Sequence, residues 1–158
     1  EKAPPAWQAA HTVLPQAELC PLRPDGKLDL LPLMSQLWAL SDAGLSPEAL
    51  LGQGAALFHV NLADGLARWA TAALQQHGLH DVVLGGGCFY NRLMTQRLTD
   101  GLARLAREAG RTAPRVHQAQ ALSCGDAGLA LGQAWAVAHA TALNVPHLSP
   151  TPMTEGAR

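Results

Sequence analysis

The sequence predicts an α/β fold in which Ala- and Leu-rich helices pack on a short, mostly parallel sheet. Apolar residues make up 48% of the chain but aromatic residues only 4%, so the core must consist of Leu, Ala and Val. From residue 82 onward the pattern is strand, helix, strand, helix, which favours a parallel strand pair with a right-handed crossover. The length of 158 residues is enough for one domain with a core of its own.

Charge, cysteine content and hydropathy exclude several classes of protein. The net charge is −1 and the pI about 6.7, without a basic stripe, so nucleic-acid binding is not expected. Cys20, Cys88 and Cys124 lie far apart without a CxxC pair, which disfavours a disulfide framework or zinc ribbon and fits a reducing cytoplasm. No apolar run approaches the roughly 18–20 residues of a membrane span. Since the chain starts without Met or a signal peptide, we expect a fragment or a processed chain.

Composition divides the chain into three segments. Residues 1–16 mix Pro, Ala and single apolar residues and are predicted to be an extended lead-in. Residues 17–142 hold the regular patterns and are predicted to form the folded lobe. Residues 143–158 carry repeated prolines and are predicted to be a flexible tail.

The first part of the lobe predicts two short strands followed by helices. Residues 17–20 and 28–30 are the candidate strands, and residues 23–27 between them carry Pro, Asp and Gly, which are typical of a turn. Residues 32–43 show helical spacing of apolar side chains. Residues 46–52 begin with a Ser-Pro pair that caps a helix, and we expect this short helix to end by its glycine.

The second part of the lobe gives the alternation on which the fold class depends. Residues 55–77 carry the longest apolar stripe and predict a long helix. Residues 82–84 predict a buried strand, and a helix with one apolar face starts at about Asn91. Residues 115–117 predict the second strand, and residues 126–142 the last helix.

Three consecutive glycines, Gly85, Gly86 and Gly87, follow the strand over residues 82–84, and we expect this turn to lie opposite a second loop over residues 123–128. A strand, a glycine turn and a helix can bring bare backbone N–H groups up to a nucleotide or phosphate, because glycine has no Cβ in the way. The turn is neither a Walker A loop nor a G-x-G-x-x-G motif. A tight turn without a ligand explains this feature equally well.

Four further side chains each have a functional and a structural interpretation. Asn91 can reach a ribose or base edge over the glycine turn, or cap the following helix. Asp126 can bind a metal ion at the start of the last helix, or cap it. Cys88 and Cys124 can be nucleophiles near helix N-termini, or small apolar fillers. The histidines show no H-x-x-x-H or H-E-x-x-H pattern.

Taken together, three motifs resemble one known family, the hydrogenase-maturation carbamoyltransferases (the HypF family), over roughly residues 18–140. The motifs are Phe58-His59-x-x-Leu62-Ala63, Leu84-Gly85-Gly86-Gly87-Cys88-Phe89-Tyr90-Asn91-Arg92-Leu93, and Gly125-Asp126-Ala127-Gly128-Leu129-Ala130-Leu131-Gly132-Gln133-Ala134. The tRNA threonylcarbamoyl-transfer proteins (the Kae1/TsaD family) are related to that domain and share its actin-like ATPase fold. The resemblance therefore implies the second lobe of a two-lobe, Kae1-like fold.

The resemblance also implies roles for individual residues. Gly85, Gly86 and Gly87 would lie against the nucleotide, ATP or carbamoyl-adenylate, and Asn91 would contact the nucleoside. Asp126 would bind a divalent metal ion, whose remaining ligands form a histidine cluster in the preceding lobe, outside this chain. No catalytic residue is identified in this lobe.

The function implied is transfer of a carbamoyl group from carbamoyl-adenylate to the C-terminal cysteine of HypE, a step in making the cyanide ligand of NiFe hydrogenase. We expect the lobe to be cytoplasmic and to be inactive without the preceding lobe. The second loop has Ala127 where the family usually has Gly. Two alternatives stay open: a tRNA threonylcarbamoyl-transfer paralogue, and a non-catalytic lobe that docks a partner.

Overall fold

The computed structural model describes residues 13–139, which form a helix-rich α/β fold. Its elements, in chain order, are a 3-10 turn at Ala17–Leu19, helix α1 (Leu31–Ser41), helix α2 (Pro47–His77), strand β1 (Asp81–Leu84), a 3-10 turn at Gly87–Tyr90, helix α3 (Arg92–Glu108), strand β2 (Arg115–Gln118), a 3-10 turn at Asp126–Gly128 and helix α4 (Leu129–His139). The α/β prediction is confirmed. Most of the predicted lead-in over 1–16, the end of the predicted last helix and the predicted tail over 143–158 lie outside the described residues.

Strands β1 and β2 pair in parallel, with Asp81 opposite Arg115 and Leu84 opposite Gln118. Helix α3 is the crossover between them, as the sequence predicts. It packs closely on α2, because a Cβ built on Gly101 would lie only 2.9 Å from the Cβ of Ala67. The main core cluster lies between these two helices and β1, and its buried members are Ala67, Leu84, Leu98 and Leu102.

Helix α2 is one continuous helix of 31 residues, whereas the sequence predicts a break after residue 52. The predicted cap is confirmed: the Ser46 Oγ accepts a hydrogen bond from the Ala49 N–H at 3.3 Å. The helix continues through Gly52 and Gly54 because α1 packs along this segment, and a Cβ on Gly54 would touch Leu40 at 3.8 Å. Tertiary packing thus offsets the cost of about 1 kcal/mol that each glycine adds to a helix interior.

The two strands predicted near the start of the lobe are wrong. Residues 17–19 form a 3-10 turn, and the second segment makes only an isolated antiparallel bridge between Leu22 and Leu28. Leu19 and Cys20 are both buried against α1, although adjacent residues of a strand would point to opposite faces. The turn predicted over residues 23–27 is present, with Gly26 at a φ of 79°.

These connections place two loops at one edge of the sheet. The glycine turn follows the carboxyl end of β1, and the loop that contains Asp126 follows the carboxyl end of β2. In α/β sheets this is the edge at which ligands bind.

Candidate functional site

The two loops at the carboxyl edge of the sheet are in direct contact. The Gly86 N–H donates a hydrogen bond to the Cys124 carbonyl oxygen at 2.5 Å. A Cβ built on Gly125 would lie 3.6 Å from the Cα of Gly87 and 3.3 Å from the ring of Tyr90. Gly86 and Asp126 are both exposed. The fold therefore brings the two sequence-predicted segments together at the surface.

The glycine turn leaves open space beside its backbone. A Cβ on any of Gly85, Gly86 and Gly87 would meet no atom within 4 Å. Only Gly86 requires glycine by conformation, because its φ is 101° and its ψ 155°, a region that is essentially closed to other residues. Its N–H already donates to Cys124, so a ligand could accept from that N–H only if the Cys124 carbonyl moved away.

Asn91 joins the glycine-turn segment to two helices. Helix α3 begins at Arg92 with Asn91 as its N-cap, and the Asn91 Oδ1 accepts a hydrogen bond from the Met94 N–H at 3.2 Å. The structural interpretation of Asn91 is therefore correct. The Asn91 Nδ2 also lies 2.8 Å from the Nε2 of His59 on α2. The side chain is exposed, and its amide has hydrogen-bonding capacity beyond these two contacts.

Side chains beyond the predicted set hold the loops in place. The Tyr90 hydroxyl is hydrogen-bonded to the Ser123 Oγ, which also accepts from the Gly125 N–H at 3.0 Å. The Gln118 Nε2 donates to the Phe89 carbonyl oxygen at 3.0 Å. Sequence reasoning missed these contacts, because the paired residues are 29 and 33 positions apart and no local pattern links them.

Asp126 is the first residue of the 3-10 turn Asp126–Gly128 and its side chain is exposed. The turn depends on Gly128, since a Cβ there would lie 2.5 Å from the Ser123 carbonyl oxygen. Residues 13–139 contain no group of three or more His, Cys, Asp and Glu side chains that could hold a metal ion. The Asp126 carboxylate suits a hard divalent cation, but it offers one ligand and the others would have to come from outside these residues.

Of the two candidate nucleophiles, Cys88 is exposed and Cys124 is half-buried. Within residues 13–139, neither thiol forms a hydrogen bond or ion pair with a histidine or lysine. The geometry gives no specific support for a cysteine nucleophile in this lobe.

A cavity of about 510 Å³ lies at the opposite end of the sheet, where β1 and β2 begin. Its lining includes His80, Arg111 and Pro114 together with the C-terminal ends of α2 and α3. The amino ends of parallel strands are not the usual position of a ligand, so the two loops remain the candidate site.

The clearest electrostatic effect lies near that end as well. The hydrogen bond from Arg115 and then the one from His117 hold the pKa of the exposed Asp81 carboxyl far below its usual range, and the same pairing raises the pKa of Arg115. The Asp81 oxygens lie 2.7 Å from the Arg115 guanidinium and 2.6 Å from the His117 Nε2. This cluster braces the start of the sheet and is separate from the loops.

Comparison with known proteins agrees with this architecture. Residues 7–133, more than half of the chain, match the family described as "Carbamoyltransferase, Kae1-like Domain, second subdomain". The fold and its two loops thus define the second lobe of a Kae1-like domain, and the fold class predicted from the sequence is confirmed. The chain belongs to the HypF carbamoyltransferase family.

Curated relatives carry the same family name. A carbamoyltransferase HypF homolog of Cupriavidus necator is 53% identical over 114 residues, which are 72% of this chain and 27% of that protein. Carbamoyltransferase HypF2 of the same organism is 42% identical over 68% of this chain and 12% of that protein. Carbamoyltransferase HypF of Rhizobium leguminosarum bv. viciae is 40% identical over 69% of this chain and 13% of its own length. The chain thus spans between about a tenth and a quarter of these relatives.

Two solved structures share the fold. A full-length HypF in a phosphate- and nucleotide-bound form aligns with a TM-score of 0.59 at 24% identity, over 77% of this chain and 14% of that one. The HypF of T. kodakarensis aligns with a TM-score of 0.58 at 22% identity, over 82% of this chain and 15% of that one. In the described part of this chain, no helix combines the length and the apolar character that a membrane crossing needs.

Proposed function

We propose that this chain is the C-terminal lobe of a carbamoyltransferase and works together with a preceding lobe that it does not contain. In this proposal residues 17–142 form the lobe, residues 1–16 lead into it and residues 143–158 are a tail. Membership of the HypF family supports the reaction class. The observation that carries the proposal is the contact between the glycine turn and the Asp126 loop at the carboxyl edge of the parallel strands.

The proposed ligand is an adenine nucleotide, ATP or carbamoyl-adenylate. It would lie against Gly85, Gly86 and Gly87, where no side chain occupies the space, and Asn91 would contact its nucleoside. The solved relative that was described with bound phosphate and nucleotide is consistent with such a ligand in the family. Binding through the Gly86 N–H would require the Cys124 carbonyl to give up its hydrogen bond.

The proposed metal ligand in this lobe is Asp126. A divalent ion there would polarise phosphate or carbonyl oxygens when it is bound. The remaining ligands would come from a histidine cluster in the preceding lobe. Within this chain, Gly128 and Ser123 set the turn that presents the carboxylate.

The proposed reaction transfers the carbamoyl group to the C-terminal cysteine of HypE in the cytoplasm. The HypE thiolate attacks the carbamoyl carbon, a C–S bond forms, the bond from that carbon to the phosphate oxygen breaks, and AMP leaves. The product thiocarboxamide is the precursor of the cyanide ligand of NiFe hydrogenase. The nucleophile comes from the partner protein, so this lobe needs no nucleophile of its own.

Calorimetric titration with ATP of a protein that carries both lobes tests the proposal. ATP binding that the Asn91→Ala substitution weakens by about tenfold or more supports the enzyme. If the protein with both lobes does not bind ATP at all, the lobe is a non-catalytic docking module. Two observations favour this second candidate: Ala127 stands where the family usually has Gly, and the Gly86 N–H already donates to Cys124.

Residues 1–158 alone should not transfer carbamoyl groups, so transfer by the purified chain would contradict the need for a second lobe. Stoichiometric binding of tRNA would favour the threonylcarbamoyl-transfer paralogue instead.

A further inference from the structure

The imidazole of His59 uses both of its nitrogens in the described structure. His59 is half-buried on α2, and its Nδ1 lies 2.6 Å from the Ala55 carbonyl oxygen. A carbonyl oxygen only accepts hydrogen bonds, so the Nδ1 must carry the proton. In the neutral ring the Nε2 then has a lone pair, and at 2.8 Å it accepts from the Asn91 Nδ2.

The N-terminus of α3 favours the orientation of the Asn91 amide that His59 also favours, with the nitrogen toward His59. The Met94 N–H is a donor and lies 3.2 Å from the Asn91 Oδ1, so the oxygen faces the helix and the nitrogen faces His59. Rotating the amide by 180° would set its oxygen against the imidazole lone pair and its NH2 against the Met94 N–H. Both hydrogen bonds would be lost, so His59 and the helix N-terminus select one orientation together.

This arrangement leaves a defined donor and acceptor on Asn91. An amide has two hydrogens and an oxygen with two lone pairs, of which His59 takes one hydrogen and Met94 one lone pair. One hydrogen and one lone pair remain on an exposed side chain beside the glycine turn. A side chain that keeps one donor and one acceptor in a fixed plane complements a hydroxyl, which both donates and accepts, or the polar edge of a base.

We propose that His59 is a positioning residue, which holds Asn91 so that its free N–H and free lone pair face a nucleoside without touching the nucleoside itself. The inference rests on the proposed role of Asn91 in nucleotide binding. It requires the Nδ1–H tautomer of His59 and an acceptor at the position of the Nε2.

Nitrogen-detected NMR of the 158-residue chain tests the tautomer without any nucleotide. We expect neutral His59 as the Nδ1–H tautomer, assigned by the signal that disappears in His59→Gln. An Nε2–H tautomer in the parent chain would overturn the inference.

ATP calorimetry of the protein with both lobes tests the consequence. Asn91→Ala and His59→Ala should each weaken ATP binding by about tenfold or more, the equivalent of roughly one hydrogen bond. His59→Gln retains an acceptor and should recover most of the affinity, while His77→Ala, at the exposed end of α2, should leave it unchanged.

The two proposals fail in different ways. Unchanged ATP binding in Asn91→Ala contradicts the proposed site itself. Weakened binding in Asn91→Ala together with parent-like binding in His59→Ala contradicts only the positioning role. If His59→Ala does not fold, the comparison of His59→Gln with the parent and the tautomer measurement decide the question.

Discussion

Removing the carboxylate of Asp64 should destabilise this lobe more than any exposed ion pair can. Asp64 lies on α2 with a side chain only 10% exposed. One of its oxygens lies 2.9 Å from the Nε of Arg68 and the other 2.6 Å from the guanidinium of Arg104 on α3. Arg68 also donates to the Cys20 carbonyl oxygen at 2.8 Å, so the carboxylate joins both long helices to the N-terminal segment.

The expected loss of stability follows from what the substitution leaves behind. Breaking a buried ion pair from one side costs about 3–5 kcal/mol, because the remaining charge keeps its desolvation penalty. Arg104 is 39% exposed and Arg68 22%, so water relieves part of this penalty and we expect the low end, about 3 kcal/mol, for Asp64→Ala. In a chain of this size that loss corresponds to a fall in Tm of roughly 6–12 °C. Asp64→Asn keeps one acceptor and should cost about half as much.

Urea unfolding of the purified chain, followed by circular dichroism, measures the effect. Glu108→Ala is the matched control, because Glu108 pairs with the same Arg104 at 3.1 Å but is 58% exposed. That substitution should cost no more than about 0.5 kcal/mol. Equal losses for Asp64→Ala and Glu108→Ala would refute the argument that burial sets the strength of this network.

Two further predictions concern the second loop and the start of the sheet. Gly128→Ala should distort the loop and lower the free energy of unfolding by about 1–3 kcal/mol, since the new Cβ would lie 2.5 Å from the Ser123 carbonyl oxygen. Gly132→Ala is the matched control, because open space surrounds that position on α4. It should be neutral or stabilise the chain by up to about 1 kcal/mol. Equal unfolding midpoints for the two variants would contradict this. The pKa of Asp81 is lowered in the folded chain, first by Arg115, so this pairing stabilises the fold at pH values above the ordinary carboxyl pKa. The stabilisation is lost as the pH falls toward the lowered pKa of the folded chain. Asp81→Asn should therefore flatten the acid side of the stability–pH curve below pH about 4, and a curve with the parent's slope would exclude this contribution.

The sequence predicts the central parallel unit well because the signals there are local. An apolar run, a glycine turn, an amphipathic helix and a second short strand follow one another, and β1, α3 and β2 occupy these positions. The caps at Ser46 and Asn91 are likewise properties of a few neighbouring residues. In contrast, the break predicted at Gly52 is wrong, because the packing of α1 on α2 outweighs the low helix propensity of glycine.

The side-chain network of the site could not be predicted in the same way. The contact between His59 and Asn91 joins residues 32 positions apart, and that between Tyr90 and Ser123 joins residues 33 apart. Single-sequence periodicity contains no information on such pairs. The sequence predicts that the glycine turn faces the loop that contains Asp126, and the structure confirms it, because the parallel pairing of β1 and β2 sets both loops at one edge of the sheet. The roles of these residues toward a nucleotide and a metal ion stay predictions.

The most direct test of the account is a crystal structure of the protein with both lobes, bound to a non-hydrolysable ATP analogue and a divalent cation. We expect the phosphates beside Gly85, Gly86 and Gly87, the nucleoside within hydrogen-bonding distance of Asn91, and the cation on the Asp126 carboxylate. A nucleotide bound instead in the cavity beside His80 and Arg111, at the other end of the sheet, would contradict the central claim.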